Sequence, residues 1–286
     1  MTMSRHAFLI IAHDNFSVLD RLLSVLEHPD VDIYLHIDAK VRSLPAIKYD
    51  NPRLHMIKNR IDTRWGDISQ IETEYALLEA ALKDGGYAYY HILSGVHFPL
   101  MPVGQILEFF EERRGQTIFH GLCTASKYQE TRKLRYFNIL TRHFATGPFY
   151  FRWICQTVNR AGLYIQSILK VDRHKDLAFY KASNWASFTE EATLYLLEKK
   201  PFAMRIFKHS FCGDEFFAPT LLMDSRLKDK INNYDKYLKL EMGEASPRVF
   251  LDTDFNALVN SGYMFARKFN DDNIGVVEKI LQSFSE

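Results

Sequence analysis

Ala7-Phe8-Leu9-Ile10-Ile11-Ala12 is an uninterrupted apolar run that stops at the polar His13-Asp14-Asn15. A short run of this kind fits a strand buried on both faces, as in parallel sheets. The next 25 residues or so decide the fold class. Val18, Leu19, Leu22, Leu23, Val25 and Leu26 recur at helical spacing, with Asp14, Asn15 and Ser17 as cap candidates, and Asp32 to Ile37 reads as a second buried strand. Strand, helix and strand in so short a span predict an α/β fold, a Rossmann-type, mostly parallel sheet covered by helices.

Further along, the alternation continues. A short strand is expected at Leu54 to Ile57, a helix at Ile68 to Leu82, a strand at Tyr87 to Leu93, a helix from Pro102 to about Arg113, and a strand at Thr117 to His120. From Ser126 to about Lys175 the chain turns aromatic and basic, and loops with one helix covering an end of the sheet are expected there. Helical signals return at Thr189 to Glu198, Phe202 to Lys208, Glu215 to Met223 and Asp271 to Phe284. No repeat, low-complexity stretch or Pro/Gly/Ser linker divides the chain, so residues 1–286 are expected to form one domain.

Composition narrows the function. Hydrophobic residues make up 47% and charged residues 25% of the 286, a globular rather than disordered balance. Lys plus Arg number 36 against 35 for Asp plus Glu, which gives no electrostatic reason to expect a nucleic-acid partner. Cys123, Cys155 and Cys212 are an odd set without CxxC spacing, so neither a disulfide framework nor a zinc knuckle is suggested and a reducing compartment fits. Phe8 to Ala12 follows Arg5 but is too short for a signal-peptide core, and no window approaches the roughly 20 apolar residues of a membrane span.

Four segments carry the chemistry. Phe211-Cys212-Gly213-Asp214-Glu215-Phe216-Phe217 sets two acids before an apolar run, Leu35-His36-Ile37-Asp38 ends a strand in an aspartate, Leu93-Ser94-Gly95-Val96-His97-Phe98-Pro99-Leu100 turns sharply after another strand, and Phe265-Ala266-Arg267-Lys268-Phe269 holds two cations between apolar residues. In an open α/β sheet, ligands bind beyond the carboxyl ends of strands, which is where Asp38 falls. By themselves, the acids are a favourable helix start and Asp38 a turn cap. Asp252-Thr253-Asp254 has the form of a metal-binding Asp-X-Asp, but such strings arise by chance in acidic loops, it lies near the C-terminus, and Asp254 reads as a helix N-cap before Phe255.

Together the four segments, with Tyr180-Lys181-Ala182-Ser183-Asn184-Trp185, resemble the core-2/I-branching β-1,6-N-acetylglucosaminyltransferase family, which includes the peptide O-xylosyltransferases. The likeness runs from about Ala7 to Phe269. Its "LSGxDyPL" segment has His97 in place of aspartate here, its "PDE" segment has Gly213 in place of proline, and its "kGSqW" segment has Ala182 and Asn184 in place of glycine and glutamine.

The resemblance implies a GT-A-like fold and an inverting transferase that needs no metal, taking its sugar from a UDP-sugar donor. Glu215 would be the general base, with Asp214 capping the helix or orienting it. Asp38, near Ala12 and His13, would read the uracil, and Arg248 with Lys268 would replace the metal at the diphosphate. Arg267 is the alternative cation, because neighbours on a strand point to opposite faces. Trp185 is either a platform for the sugar or part of the core. Arg132, Arg135 and Tyr136 are acceptor-side candidates. The nucleotide-binding part is expected at about residues 1–125, and the acceptor and catalytic part at about 126–286.

The expected donor is UDP-GlcNAc and the acceptor a carbohydrate or glycolipid, in bacterial polysaccharide or surface-glycan synthesis. A xylosyl or other hexosyl transferase and a non-catalytic glycan-binding module are the alternatives. Eukaryotic members of the resembled family carry an N-terminal membrane helix. With none in this sequence, a bacterial, cytoplasmic enzyme is expected, with peripheral association at the inner face of the membrane left open.

Overall fold

The computed structural model describes residues 3–243 and 246–284. The N-terminal half opens with β1 (Arg5–Ala12), α1 (Phe16–Val25), β2 (Val31–Ile37), β3 (Leu54–Met56), α2 (Ser69–Asp84) and β4 (Tyr87–Ser94). Next come β5 (His97–Pro99), α3 (Val103–Glu112), β6 (Thr117–Phe119) and β7 (Cys123–Thr124). A single turn, α4 (Lys127–Gln129), runs into π-helical turns over Glu130–Arg135, and α5 (Phe149–Ile168) lies over the 3₁₀ turn Thr141–His143. The remainder comprises β8 (Tyr180–Lys181), β9 (Ser187–Thr189), α6 (Glu190–Glu198), α7 (Lys200–Phe207), α8 (Phe217–Met223), β10 (Ile231–Asn233), β11 (Leu238–Leu240), α9 (Phe255–Val259), β12 (Phe265–Arg267) and α10 (Ile274–Ser283).

Seven strands form the central sheet in the order β10-β6-β9-β4-β1-β2-β3, and β11-β12-β5 form a smaller one. β1 is parallel to both β2 and β4, while β9 alone runs antiparallel to its neighbours β4 and β6. The expected mostly parallel sheet is thus present. Its apolar runs follow from burial on both faces, since every residue of β2 is buried, including Asp32 and His36. Each large apolar side chain so buried contributes roughly 1.5–3 kcal/mol relative to exposure. One contiguous core extends from Ala7 to Ile280 and joins both halves of the chain.

The topology makes a crevice. From β1 the chain moves to one side, through α1 to β2 and β3, and then returns by α2 to the other side at β4. Ala12 lies opposite Ile37, and Ile11 opposite Ser94, so the carboxyl ends of three strands finish level. This is the switch point at which open α/β sheets bind ligands. Gly95 closes it tightly, because a Cβ there would stand 2.9 Å from that of Ala12.

Local starts differ from the expectation in three places. None of Asp14, Asn15 and Ser17 caps α1 through its side chain. Asp271, from the far end of the chain, accepts from the N–H groups of Ser17 and Val18 at 3.3 and 3.0 Å. The acids Asp214 and Glu215 stand in a separate 3₁₀ turn, Gly213–Glu215, entered through Cys212 in the left-handed region (φ 53°), and α8 begins only at Phe217. Asp254 likewise gives α9 no side-chain cap.

Candidate active site

A cavity of about 370 Å³ occupies the switch point. Ala12 at the end of β1 with His13 after it, Asp38 after β2, and Ser94 at the end of β4 with Gly95 after it form its floor, while Glu74, Asn184, Trp185 and Arg267 belong to its walls. Residues from both halves of the chain meet here.

Asp38 is both a turn residue and a cavity residue. It is 3% exposed, accepts from the Lys40 N–H at 2.8 Å, and pairs with the Lys40 ammonium at 2.6 Å. The Arg60 guanidinium fixes the same turn by donating to the carbonyls of Ile37 and Asp38 at 3.0 and 2.8 Å. A carboxylate held this firmly on a cavity floor can accept from a ligand at little cost in side-chain entropy.

Arg267 is the cation that the fold turns into the cavity. Pairing β12 antiparallel to β5 sets Arg267 opposite His97, and the guanidinium lies 5.1 Å from the centre of the Trp185 ring. Among the described residues no acid comes within ion-pair distance of it. Burial lowers its pKa, yet a guanidinium keeps its charge. His97, in the place of the family's aspartate, lies beneath, with its ring edge-on to Trp185 at 4.8 Å. Its Nδ1 accepts from the Ser94 N–H at 3.0 Å. Burial, and then the neighbouring Arg267, hold this imidazole well below its ordinary pKa, so it is neutral. Trp185 is part of the core and also lines the cavity.

Glu215 and Asp214 stand beside the cavity rather than in its lining. Glu215 pairs with Lys181 at 3.2 Å and Lys133 at 3.7 Å. Asp214 is buried and accepts from the amide of Gln70, a cavity residue on α2, at 3.0 Å. Burial, with Glu215 next to it, pushes the Asp214 carboxyl up to about 7.

Arg248 and Lys268 do not reach the cavity lining. The Arg248 guanidinium is held by Asp254 at 2.7 and 2.9 Å and by Glu241 at 2.6 Å, so its charge is already met by two carboxylates. The Lys268 ammonium donates to Ser246 at 3.2 Å. Asp252 and Asp254 do not converge either, since Asp252 pairs with Lys279 at 2.9 Å. Of the acceptor-side candidates, Arg132 and Tyr136 line a second groove, and Arg135 is tied to Glu130, Asp172 and the carbonyls of His174 and Leu177.

Glu74 is the cavity residue that sequence reasoning missed. It is 1% exposed, and no hydrogen bond meets either carboxyl oxygen. Burial, and then the nearby Asp214, raise its pKa well above the usual carboxylate range, with Asn184 acting weakly the other way. Its environment therefore favours the neutral, protonated form. In the sequence it is one of several glutamates on α2, and only the three-dimensional arrangement distinguishes it.

The model of the core-2/I-branching enzyme family matches residues 6–247, most of the chain. The chain belongs to the core-2/I-branching enzyme family. As a family member it is a glycosyltransferase, with a sugar donor and a carbohydrate acceptor as its substrates. No individual curated protein matches it. The match spans all of the cavity floor and walls except Arg267, which lies beyond its end.

Proposed function

We propose that this glycosyltransferase moves GlcNAc from UDP-GlcNAc to a hydroxyl of a carbohydrate acceptor, with inversion at the anomeric carbon and without a metal ion. The observation that carries the reading is the cavity itself. It offers a carboxylate, Asp38, at one side and an arginine free of acidic partners, Arg267, at another. Asp38 would accept from the imide N–H of uracil. Arg267 would face the diphosphate, a role for which the doubly paired Arg248 is poorly placed.

In this mechanism Glu215 takes the proton of the acceptor hydroxyl while its oxygen attacks the anomeric carbon. The bond from that carbon to the diphosphate breaks on the opposite face, and UDP leaves with the electron pair. A fixed cation stabilises charge that grows on the leaving group only as the bond breaks, so it lowers the barrier selectively. The pairs with Lys181 and Lys133 would hold Glu215 in its ionised form and fix its position for this role. The neutral acid of Glu74 can donate to the acetamido carbonyl of the sugar, which favours GlcNAc over a sugar without that group.

Transfer assayed with purified protein tests this chemistry. In the presence of EDTA, wild-type turnover should persist, and Glu215→Gln should lose roughly 10²-fold or more with little change in UDP affinity. Loss of wild-type turnover in EDTA that manganese restores would instead make the reaction metal-dependent. Near-normal turnover in Glu215→Gln would remove Glu215 from the role of base.

A further inference from the structure

α5 buries only Cys155, Asn159 and Leu163. Three of its amide side chains tie it to the protein. Asn159 accepts from the Ile139 N–H at 2.8 Å, Gln156 donates to the Phe144 carbonyl at 3.0 Å, and Gln166 both accepts from and donates to the backbone of Phe137 at 2.7 and 3.0 Å. Its outer face is apolar and aromatic. Tyr150, Trp153, Ile154, Tyr164, Ile165 and Ile168 follow one another there at helical spacing, from 47% to 70% exposed. Scattered exposed apolar residues are ordinary, but a continuous stripe over a 20-residue helix marks an interaction face.

Charge identifies what it meets. From Thr131 to Val171 the chain contains no Asp or Glu but seven Lys and Arg. Lys133, Arg135 and Arg142 pair with acids outside that stretch, which leaves Arg132, Arg152, Arg160 and Lys170 without an acidic partner among the described residues. Beside the apolar stripe lies an open groove of about 640 Å³ whose cations are Lys127, Arg132 and Arg160 and whose aromatic residues are Tyr128, Tyr136 and Tyr164. Among the described residues none of these three cations has an acidic partner. Arg160 and Tyr164, on successive turns of α5, border both groove and stripe.

We propose that this face docks on an anionic lipid bilayer, with the stripe of α5 at the level of the acyl boundary and the groove receiving phosphate headgroups. Tyr and Trp favour that boundary, where one end of the ring is apolar and the other wet. An amphipathic helix with basic residues beside its apolar face lies in the interface rather than across it. α5 is suited to that placement, since among the described residues no helix is long and apolar enough to cross a membrane. A second copy of the chain is the poorer occupant, because a two-fold contact would set this cationic surface against itself. Ala145 and Thr146, just before α5, line the active-site cavity, so docking brings the cavity mouth to the bilayer. An acceptor carried on a lipid would then enter from the membrane side. That last step rests on the transferase reading, and the docking does not.

Sedimentation with vesicles tests the docking. The protein should pellet with vesicles of phosphatidylcholine mixed with phosphatidylglycerol, less with phosphatidylcholine alone, and less again as salt is raised. Trp153→Glu together with Ile165→Glu, both at exposed positions, should reduce pelleting about tenfold or more, a loss worth about 1.4 kcal/mol. UDP affinity of the same variant should equal that of wild type, which shows that it is folded and keeps the two readings separable. Failure of wild type to pellet with anionic vesicles, or equal pelleting by the variant, would overturn the proposal. So would a wild-type dimer in solution that this variant abolishes.

Discussion

Asp214 and Glu74 are acids that burial strongly alters, and both lie within reach of Gln70 or the cavity wall. A folded-state pKa of about 7 for Asp214 means that the native protein keeps a proton that the unfolded chain releases near pH 4. Stability from this group is thus fully present at low pH, falls as pH rises through the unfolded value, and is lost above about 7. Glu74 acts in the same direction. Asp214→Asn keeps the contact with Gln70 but removes the ionisation. Urea unfolding should show it more stable than wild type at pH 8 by on the order of 2 kcal/mol, with much of that difference gone at pH 5. An equal effect at both pH values would show that the carboxyl is not held protonated. The acid pair was legible in the sequence because it interrupts an apolar stretch after a glycine. Glu74 was not, since Glu72 and Glu79 share its helix and nothing in their spacing says which one the fold will bury.

At the scale of elements, the strands that read clearly were those buried on both faces. β1, β2 and β4 have apolar runs too short for an ordinary helix and too continuous for a strand with one wet face. Caps were less legible, because a cap can come from anywhere in the chain. Asp271 caps α1 across more than 250 residues, and its own N–H donates to Asn15 at 3.0 Å. Asp271→Ala should cost about 1 kcal/mol of stability, read as a lower melting temperature, whereas Ser17→Ala should cost little. The reverse order would return the cap to the local sequence. Neighbours on a strand point to opposite faces, which did not say whether Arg267 or Lys268 would face inward, and β12 ends at Arg267. The pairing of Arg267 with His97 settles that, and it is a contact between segments far apart in sequence. The outward apolar face of α5 was hidden for a related reason, because helical spacing reveals an apolar side without telling whether protein or something else will cover it.

For the whole molecule, the fold and the position of the site followed from alternating strands and helices, since polar residues after apolar strands fall at one edge of a parallel sheet. The composition of the site did not follow. The cavity gathers Asp38 from just after β2, Glu74 from α2, Trp185 from the loop before β9 and Arg267 from β12, and their convergence depends on β9 returning antiparallel and on the small second sheet. Of the expected cations, Arg267 lines the cavity, while Arg248 lies outside its lining, held by Asp254 and Glu241. Calorimetric titration of UDP into wild type, Asp38→Ala, Arg267→Ala and Lys268→Ala tests this arrangement most directly. Wild type should bind UDP, Asp38→Ala and Arg267→Ala should each weaken binding about tenfold or more, and Lys268→Ala should change it much less. No measurable binding by wild type, or affinities that fall only in Lys268→Ala, would contradict a nucleotide-sugar site in this cavity.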